Sequence, residues 1–207
     1  MTRIVALASG KGTNFRALLE AAGDGRIRNA RFVGLVVDRP HTGAERFARD
    51  AGIACVIIDY TAFASRSQYN EAFARAVDDF APDLIVAAGY MRILDADFVR
   101  RYPNRILNIH PSLLPSFPGL HAQRQALEYG VKVSGCTVHF VDEGLDSGPI
   151  VVQRAVSIPE GADEEHLTAL IRSVEHESYI EAVSLFCEGR LRIEGRRVVI
   201  RKEREMA

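Results

Sequence analysis

The apolar positions of the chain fall into short runs separated by turn residues. Residues 4–8 are an unbroken apolar run, the pattern of a strand covered on both faces. Phe15, Leu18, Leu19 and Ala22 then recur at helical spacing and predict a helix with one apolar face. Residues 32–37 and 54–58 read as the second and third strands. Between them, residues 42–51 read as a short helix stopped at Gly52. Ser65 and Gln68 form a capping-box pattern, and Tyr69, Phe73, Val77 and Phe80 give the helix it opens an apolar face. Residues 84–88 form the next strand, bounded by Pro82 and Gly89. Asp95 can cap a short helix that runs to Tyr102, and residues 105–109 make a fifth strand. Strands alternating with helices in this way imply a mostly parallel sheet flanked by helices, an α/β fold of Rossmann-like type.

The pattern changes after residue 110. Pro111, Pro115, Pro118 and Gly119 mark a shaped, non-helical loop, followed by a helix over 121–129. Residues 134–141 and 150–158 read as two strands joined by eight residues, Asp142 to Pro149. That spacing suits an antiparallel pair in the C-terminal half. A long helix spans 163–187, and a last short strand falls near 198–200. No linker separates two units, so a single domain over 1–207 is expected, with halves at about 1–105 and 106–193 and a basic tail at 194–207.

Composition narrows the function classes. Apolar residues are 47% and charged residues 26% of the 207, which argues against disorder. Lys plus Arg number 26 against 27 Asp plus Glu, a net charge of −1, so no basic footprint for nucleic acid exists globally. The basic skew lies in the tail from residue 189, which reads as a solvated end. Cys55, Cys136 and Cys187 are far apart and form no Cys-x-x-Cys, which argues against a disulfide framework or a zinc site and fits a reducing cytoplasm. The N-terminal apolar run is too short for a signal-peptide core or a membrane span.

Three stretches carry candidate chemistry. Ser9-Gly10-Lys11-Gly12-Thr13-Asn14 lies between the first strand and the first helix. Backbone N–H groups at such a helix start suit a phosphate, though an ordinary tight turn has the same composition. A dinucleotide fingerprint would need glycine where Phe15 stands, and a P-loop would need glycine at Val5. Asn108 and His110 alternate on the fifth strand, so both face the same way and Ile109 the other. They end at Pro111, at the carboxyl end of a parallel strand, where open α/β sheets bind ligands. Asp146 sits in the acidic turn; next to His110 it would raise the histidine pKa, by about 1–3 units for a close opposite charge.

Taken together and in order, these stretches resemble the folate-dependent formyltransferase family. The resemblance runs over residues 3–193 and rests on the glycine turn, Gly89-Tyr90-Met91-Arg92-Ile93-Leu94, Asn108-Ile109-His110-Pro111-Ser112-Leu113-Leu114-Pro115, Pro118-Gly119-Leu120-His121 and residues 142–149. It implies formyl transfer from 10-formyltetrahydrofolate to the amine of glycinamide ribonucleotide, without a metal. It also implies roles. Asn108, His110 and Asp146 would be the catalytic trio. Gly12, Thr13 and Asn14 would bind the substrate phosphate, and Glu175 its ribose or glycinamide end. Arg66, Met91, Arg92, Ile93, Leu94, Asn108 and Asp142 would hold the folate. Partners would be these small molecules, not nucleic acid or membrane, with the chain a monomer or homodimer. One departure is Gln123, where the family often has a second histidine two residues after His121.

Rival readings remain. Within the family, a formyltetrahydrofolate hydrolase is expected to carry a preceding domain, and a methionyl-tRNA formyltransferase a following one and a basic face. Outside it stands a nucleotide-binding module, for which Asp38 could supply the acidic residue ending the second strand.

Overall fold

The computed structural model describes residues 1–202. Its centre is β1 (Thr2–Ala8), flanked by β2 (Ala30–Val37) and β4 (Leu84–Ala87). Beyond these lie β3 (Cys55–Ile57) on one side and β5 (Ile106–His110) on the other. All five are parallel, as the alternation of elements predicts. β6 (Val133–Phe140) joins β5 antiparallel, and β7 (Ile150–Ser157) joins β6 antiparallel, the expected pair in the C-terminal half. Two strands follow on that edge, β9 (Arg197–Ile200) against β7 and β8 (Leu191–Glu194) outermost. Residues 191–200 are therefore a hairpin on the sheet, not a solvated end. Their alternating apolar side chains Leu191, Ile193 and Val198 pack on the core while the charged ones face outward. Residues 203–207 of the basic stretch lie outside the described residues.

Helices cover both faces. α1 (Thr13–Gly23), α2 (Gly43–Asp50), α5 (Ala122–Tyr129) and α6 (Glu164–Cys187) bury one apolar cluster with Ile4, Ala6, Val86, Leu107, Ile109 and Val138. α3 (Arg66–Asp78) and α4 (Ala96–Arg101) bury the other with Val5, Leu7, Ile85 and Ile106. The period-2 alternation along β1 and β5 thus assigns each residue to one layer or the other. Thr42, Ser65, Asp95 and Asp163 cap α2, α3, α4 and α6 through side-chain oxygens that accept first-turn N–H bonds. α1 differs: it starts on Gly12 at φ 73° with no side-chain cap, so its first-turn N–H groups are left for another acceptor.

Candidate active site

Strand alternation places the first two functional side chains. Ile109 packs in the α6 layer, so Asn108 and His110 project from the opposite face of β5. The antiparallel register sets His139 of β6 directly across from Asn108. The loop from Val141 to Pro149 then doubles back over this face. Gly148 permits the reversal, because a Cβ there would run into the Phe140 carbonyl. Asp146 adopts φ 48° and reaches the two histidines.

The resulting cluster is tightly connected. Asp146 Oδ2 accepts the Gly119 N–H at 2.8 Å and lies 3.3 Å from His110 Nδ1. Its Oδ1 lies 3.6 Å from His139 Nε2, which is 3.2 Å from Asn108 Nδ2. The other ring nitrogens face carbonyls: His110 Nε2 is 2.9 Å from the Phe117 oxygen, and His139 Nδ1 is 2.9 Å from that of Phe140. A carbonyl only accepts, so these two nitrogens carry protons. His139 Nε2 lies between the Asn108 amide and Asp146 Oδ1, so it accepts the amide N–H when bare and donates to Asp146 when protonated. A second proton on His110 would convert Nδ1 into a donor to Asp146.

Burial governs the titration of this cluster. His110 and His139 are 5% and 1% exposed. Burial pushes the His110 pKa below the ordinary histidine value, against the upward pull of the Phe117 carbonyl and the Asp146 carboxylate. The expected rise from Asp146 is thus present but outweighed, because the ring is desolvated as well as paired. For Asp146, burial alone would raise the pKa. Hydrogen bonds from His139 and Gly119 and the charge of both histidines reverse this and bring it down to about 2.

A second group of candidates forms at the start of α1. Gly12 lies against α2, where a Cβ would meet Ala44 Cα at 2.5 Å. Thr13 and Asn14 open the uncapped helix. Glu175 of α6 stands beside Asn14, so two distant stretches of the chain meet here. Burial raises the Glu175 pKa, and the Asn14 amide offsets part of that rise. Asn14 Oδ1 is buried without a hydrogen-bond partner. Ser9 connects this end to the neighbouring strand: its N–H bonds the Gly89 carbonyl at 3.1 Å and its Oγ accepts the Met91 N–H at 2.9 Å.

The folate candidates divide by location. Arg66, Met91, Arg92 and Ile93 line one cleft of about 170 Å³, together with Tyr60, Tyr69 and Asn70. Leu94 instead packs into the α3–α4 layer. The Arg92 guanidinium is already engaged: Nε bonds Asp38 Oδ2 at 2.7 Å, and the group lies 3.6 Å from the Tyr60 ring centroid. Asp142 Oδ1 accepts the Gly144 N–H at 3.1 Å and the Ser147 hydroxyl at 2.7 Å, shaping the loop from within.

Sequence reasoning missed His139, Phe117 and the use made of Asp38. His139 sits at an alternate position of a recognised strand, but only the register against β5 puts it next to Asn108. Among the described residues, no group of three or more His, Cys, Asp or Glu could hold a metal ion.

An amide, two imidazoles and a carboxylate meet at the carboxyl end of a parallel strand of an α/β sheet, and the start of α1 is uncapped. The chain belongs to the formyl transferase family, whose sequence profile matches residues 2–183. It is 43% identical to the phosphoribosylglycinamide formyltransferase of Escherichia coli (strain K12) over 190 residues, 92% of this chain and 89% of that one. It is 45% identical to the trifunctional purine biosynthetic protein adenosine-3 of Drosophila melanogaster, covering 90% of this chain but only 14% of that protein's length. Among solved structures, glycinamide ribonucleotide transformylase 1 from Symbiobacterium toebii superposes with a TM-score of 0.94 at 50% identity, covering 98% of this chain and 95% of that one. A formyltetrahydrofolate deformylase from Pseudomonas syringae has the same fold, with a TM-score of 0.90 at 26% identity, covering 97% of this chain and 66% of its own.

Proposed function

We propose that the chain transfers the formyl group of 10-formyltetrahydrofolate to the amine of glycinamide ribonucleotide, giving formylglycinamide ribonucleotide and tetrahydrofolate in purine biosynthesis. The observation that carries this reading is the contact of Asp146 with His110, on the same face as Asn108. Identity of 50% with one solved transformylase and 43% with the Escherichia coli formyltransferase, against 26% with the deformylase, favours transfer over hydrolysis.

In this reading, the substrate phosphate takes the free N–H groups at Gly12, Thr13 and Asn14, where the positive end of the α1 dipole adds to the attraction. Glu175 holds the ribose or glycinamide end. The folate lies in the cleft lined by Arg66 and residues 91–93, with Leu94 packed in the α3–α4 layer and Asp142 shaping the loop from 141 to 149. Arg92 contributes there through its backbone, since Asp38 holds its guanidinium.

The amine attacks the formyl carbon, its nitrogen becomes cationic, and the carbonyl oxygen takes up negative charge. The Asn108 amide donates to that oxygen; one such donor is worth about 2.7–4 kcal/mol. His110 rests neutral because it is buried, so it can take the proton that the amine nitrogen sheds. Asp146, ionised down to about pH 2, steadies the imidazolium through Nδ1. The ring then returns the proton to the folate nitrogen as the C–N bond breaks. His139 holds the Asn108 amide in place. The chain is expected to act in the cytoplasm on small molecules alone, as a monomer or homodimer; among the described residues no helix is long and apolar enough to cross a membrane.

His110→Ala tests the assignment. Turnover should fall by about 10²–10³-fold or more while a folate analogue still binds. A near-wild-type rate would remove His110 from the mechanism.

A further inference from the structure

The hairpin of β8 and β9 has no part in the chemistry above, yet its turn reaches the catalytic loop. β9 joins the sheet through the pair of Arg197 with Ile150, the residue that begins β7 directly after the loop. At the turn, Gly195 takes φ 61°, and Arg196 follows. Arg196 Nη2 donates to the Ser147 carbonyl oxygen at 2.9 Å. Ser147 is the residue after Asp146, and its hydroxyl is itself bound to Asp142.

The Arg196 contact holds a conformation that needs holding. Asp146 sits at φ 48°, a region that side-chain-bearing residues occupy only when their surroundings fix them there. Within the loop, Asp142 ties to Ser147; on the site side, the Gly119 N–H ties to Asp146; from outside, Arg196 ties to Ser147. Arg196 makes no ion pair among the described residues, so its guanidinium is free for that carbonyl. A further outside contact, Arg100 to Glu143 at 2.6 Å, joins two half-exposed side chains at the start of the loop and does not reach the Asp146 end.

We propose that the β8–β9 turn is a strut for the catalytic loop, and that Arg196 is a positioning residue for Asp146. The catalytic part of this proposal rests on the role of Asp146 given above. The test uses the full chain carrying Arg196→Ala. Amide exchange at Gly119, whose N–H is bonded to Asp146, should quicken about tenfold, the equivalent of about 1.4 kcal/mol. The kcat should fall by a similar factor, with the KM for glycinamide ribonucleotide unchanged and Arg196→Lys recovering most of the rate. In an Asp146→Asn background, adding Arg196→Ala should cost no further rate. A purely structural arginine would instead lower kcat equally in both backgrounds, and that result overturns the proposal. Unchanged exchange at Gly119 overturns it as well. Should Arg196→Ala fold poorly, Arg196→Met keeps an unbranched apolar stem, removes the donor to the Ser147 carbonyl and is read the same way. Exchange at Gly119 decides on the strut even if the wild type transfers no formyl group, so the two failures are told apart.

Discussion

Asp38 offers a sharp test of how the folate cleft is held together. Its carboxylate has no exposed surface at the end of β2. It accepts Arg92 Nε at 2.7 Å and, from the neighbouring Arg39, Nε at 3.2 Å and Nη2 at 3.3 Å. Arg92 is 27% exposed, whereas Arg39 is 52% exposed and can return to water. Removing one partner of a buried pair costs about 3–5 kcal/mol, because the other charge is left uncompensated. Since Arg92 keeps some solvent contact, Asp38→Ala should cost about 3 kcal/mol, at the low end of that range. For a chain of this size that is a fall in Tm of about 6–12 °C. Because residues 91–93 line the cleft beside Arg92, the KM for the folate should also rise, while that for glycinamide ribonucleotide stays put. The Asp38→Leu/Arg92→Met pair should recover most of the stability, since an apolar pair leaves no orphaned charge. Urea unfolding and steady-state kinetics on the three proteins read both effects. A loss below about 1 kcal/mol with the folate KM unmoved would refute the reasoning, placing the pair among surface contacts of little worth.

Three further outcomes are expected. A carboxylate lowered from 3.8 to about 2 contributes roughly 2 kcal/mol above about pH 4, and loses it as pH falls through 2. Asp146→Asn should therefore be less stable by about that amount at pH 7 in urea unfolding, with the gap closing towards pH 2–3; a gap that does not change with pH would contradict this. Gly12→Ala should lose about 2–4 kcal/mol, since it forces a side chain both into φ 73° and onto the Ala44 backbone. Calorimetry should show its phosphate-bearing substrate binding more weakly, and a variant as stable as the wild type would show that the turn has room. His110 and His176 both titrate below the ordinary histidine value, chiefly through burial. The unfolded chain then binds more protons than the folded one below pH 6.5, so their contribution is complete above that pH and declines as pH falls below it. Unfolding free energies measured from pH 7.5 to 5.5 should decline with a slope that is shallower in His176→Gln, and an identical slope in that variant would count against it.

Much of the framework is legible in the sequence because burial on both faces leaves a plain mark on a strand. The apolar runs that form β1, β2, β4 and β5 need no tertiary knowledge. The side chains of Ser65 and Asp95 announce two helix starts. Alternation along β5 is enough by itself to put Asn108 and His110 on one face. His139 is not legible, because its meeting with Asn108 depends on which residue of β6 faces which of β5, and a run of alternating residues carries no register. The direction of the His110 titration escapes for a related reason: a sequence shows the neighbouring carboxylate but not how completely both are withdrawn from water. Asp38, which could have been a ribose-binding acid, is spent on Arg92 and Arg39. The strand near 198–200 is legible as β9, but the first strand of the C-terminal hairpin is masked by its charge. Leu191 to Glu194 alternates correctly, but four residues among so many arginines read as a solvated end until the sheet edge that receives them is known.

The central claim is that this site passes a formyl group to one small acceptor. The direct measurement is the rate of tetrahydrofolate formation from 10-formyltetrahydrofolate with glycinamide ribonucleotide, with methionyl-tRNA, and with water alone. Rapid, stoichiometric formylation of glycinamide ribonucleotide is predicted, with negligible turnover of the other two. Equal release of tetrahydrofolate with and without an acceptor would make the site a hydrolase and contradict that claim.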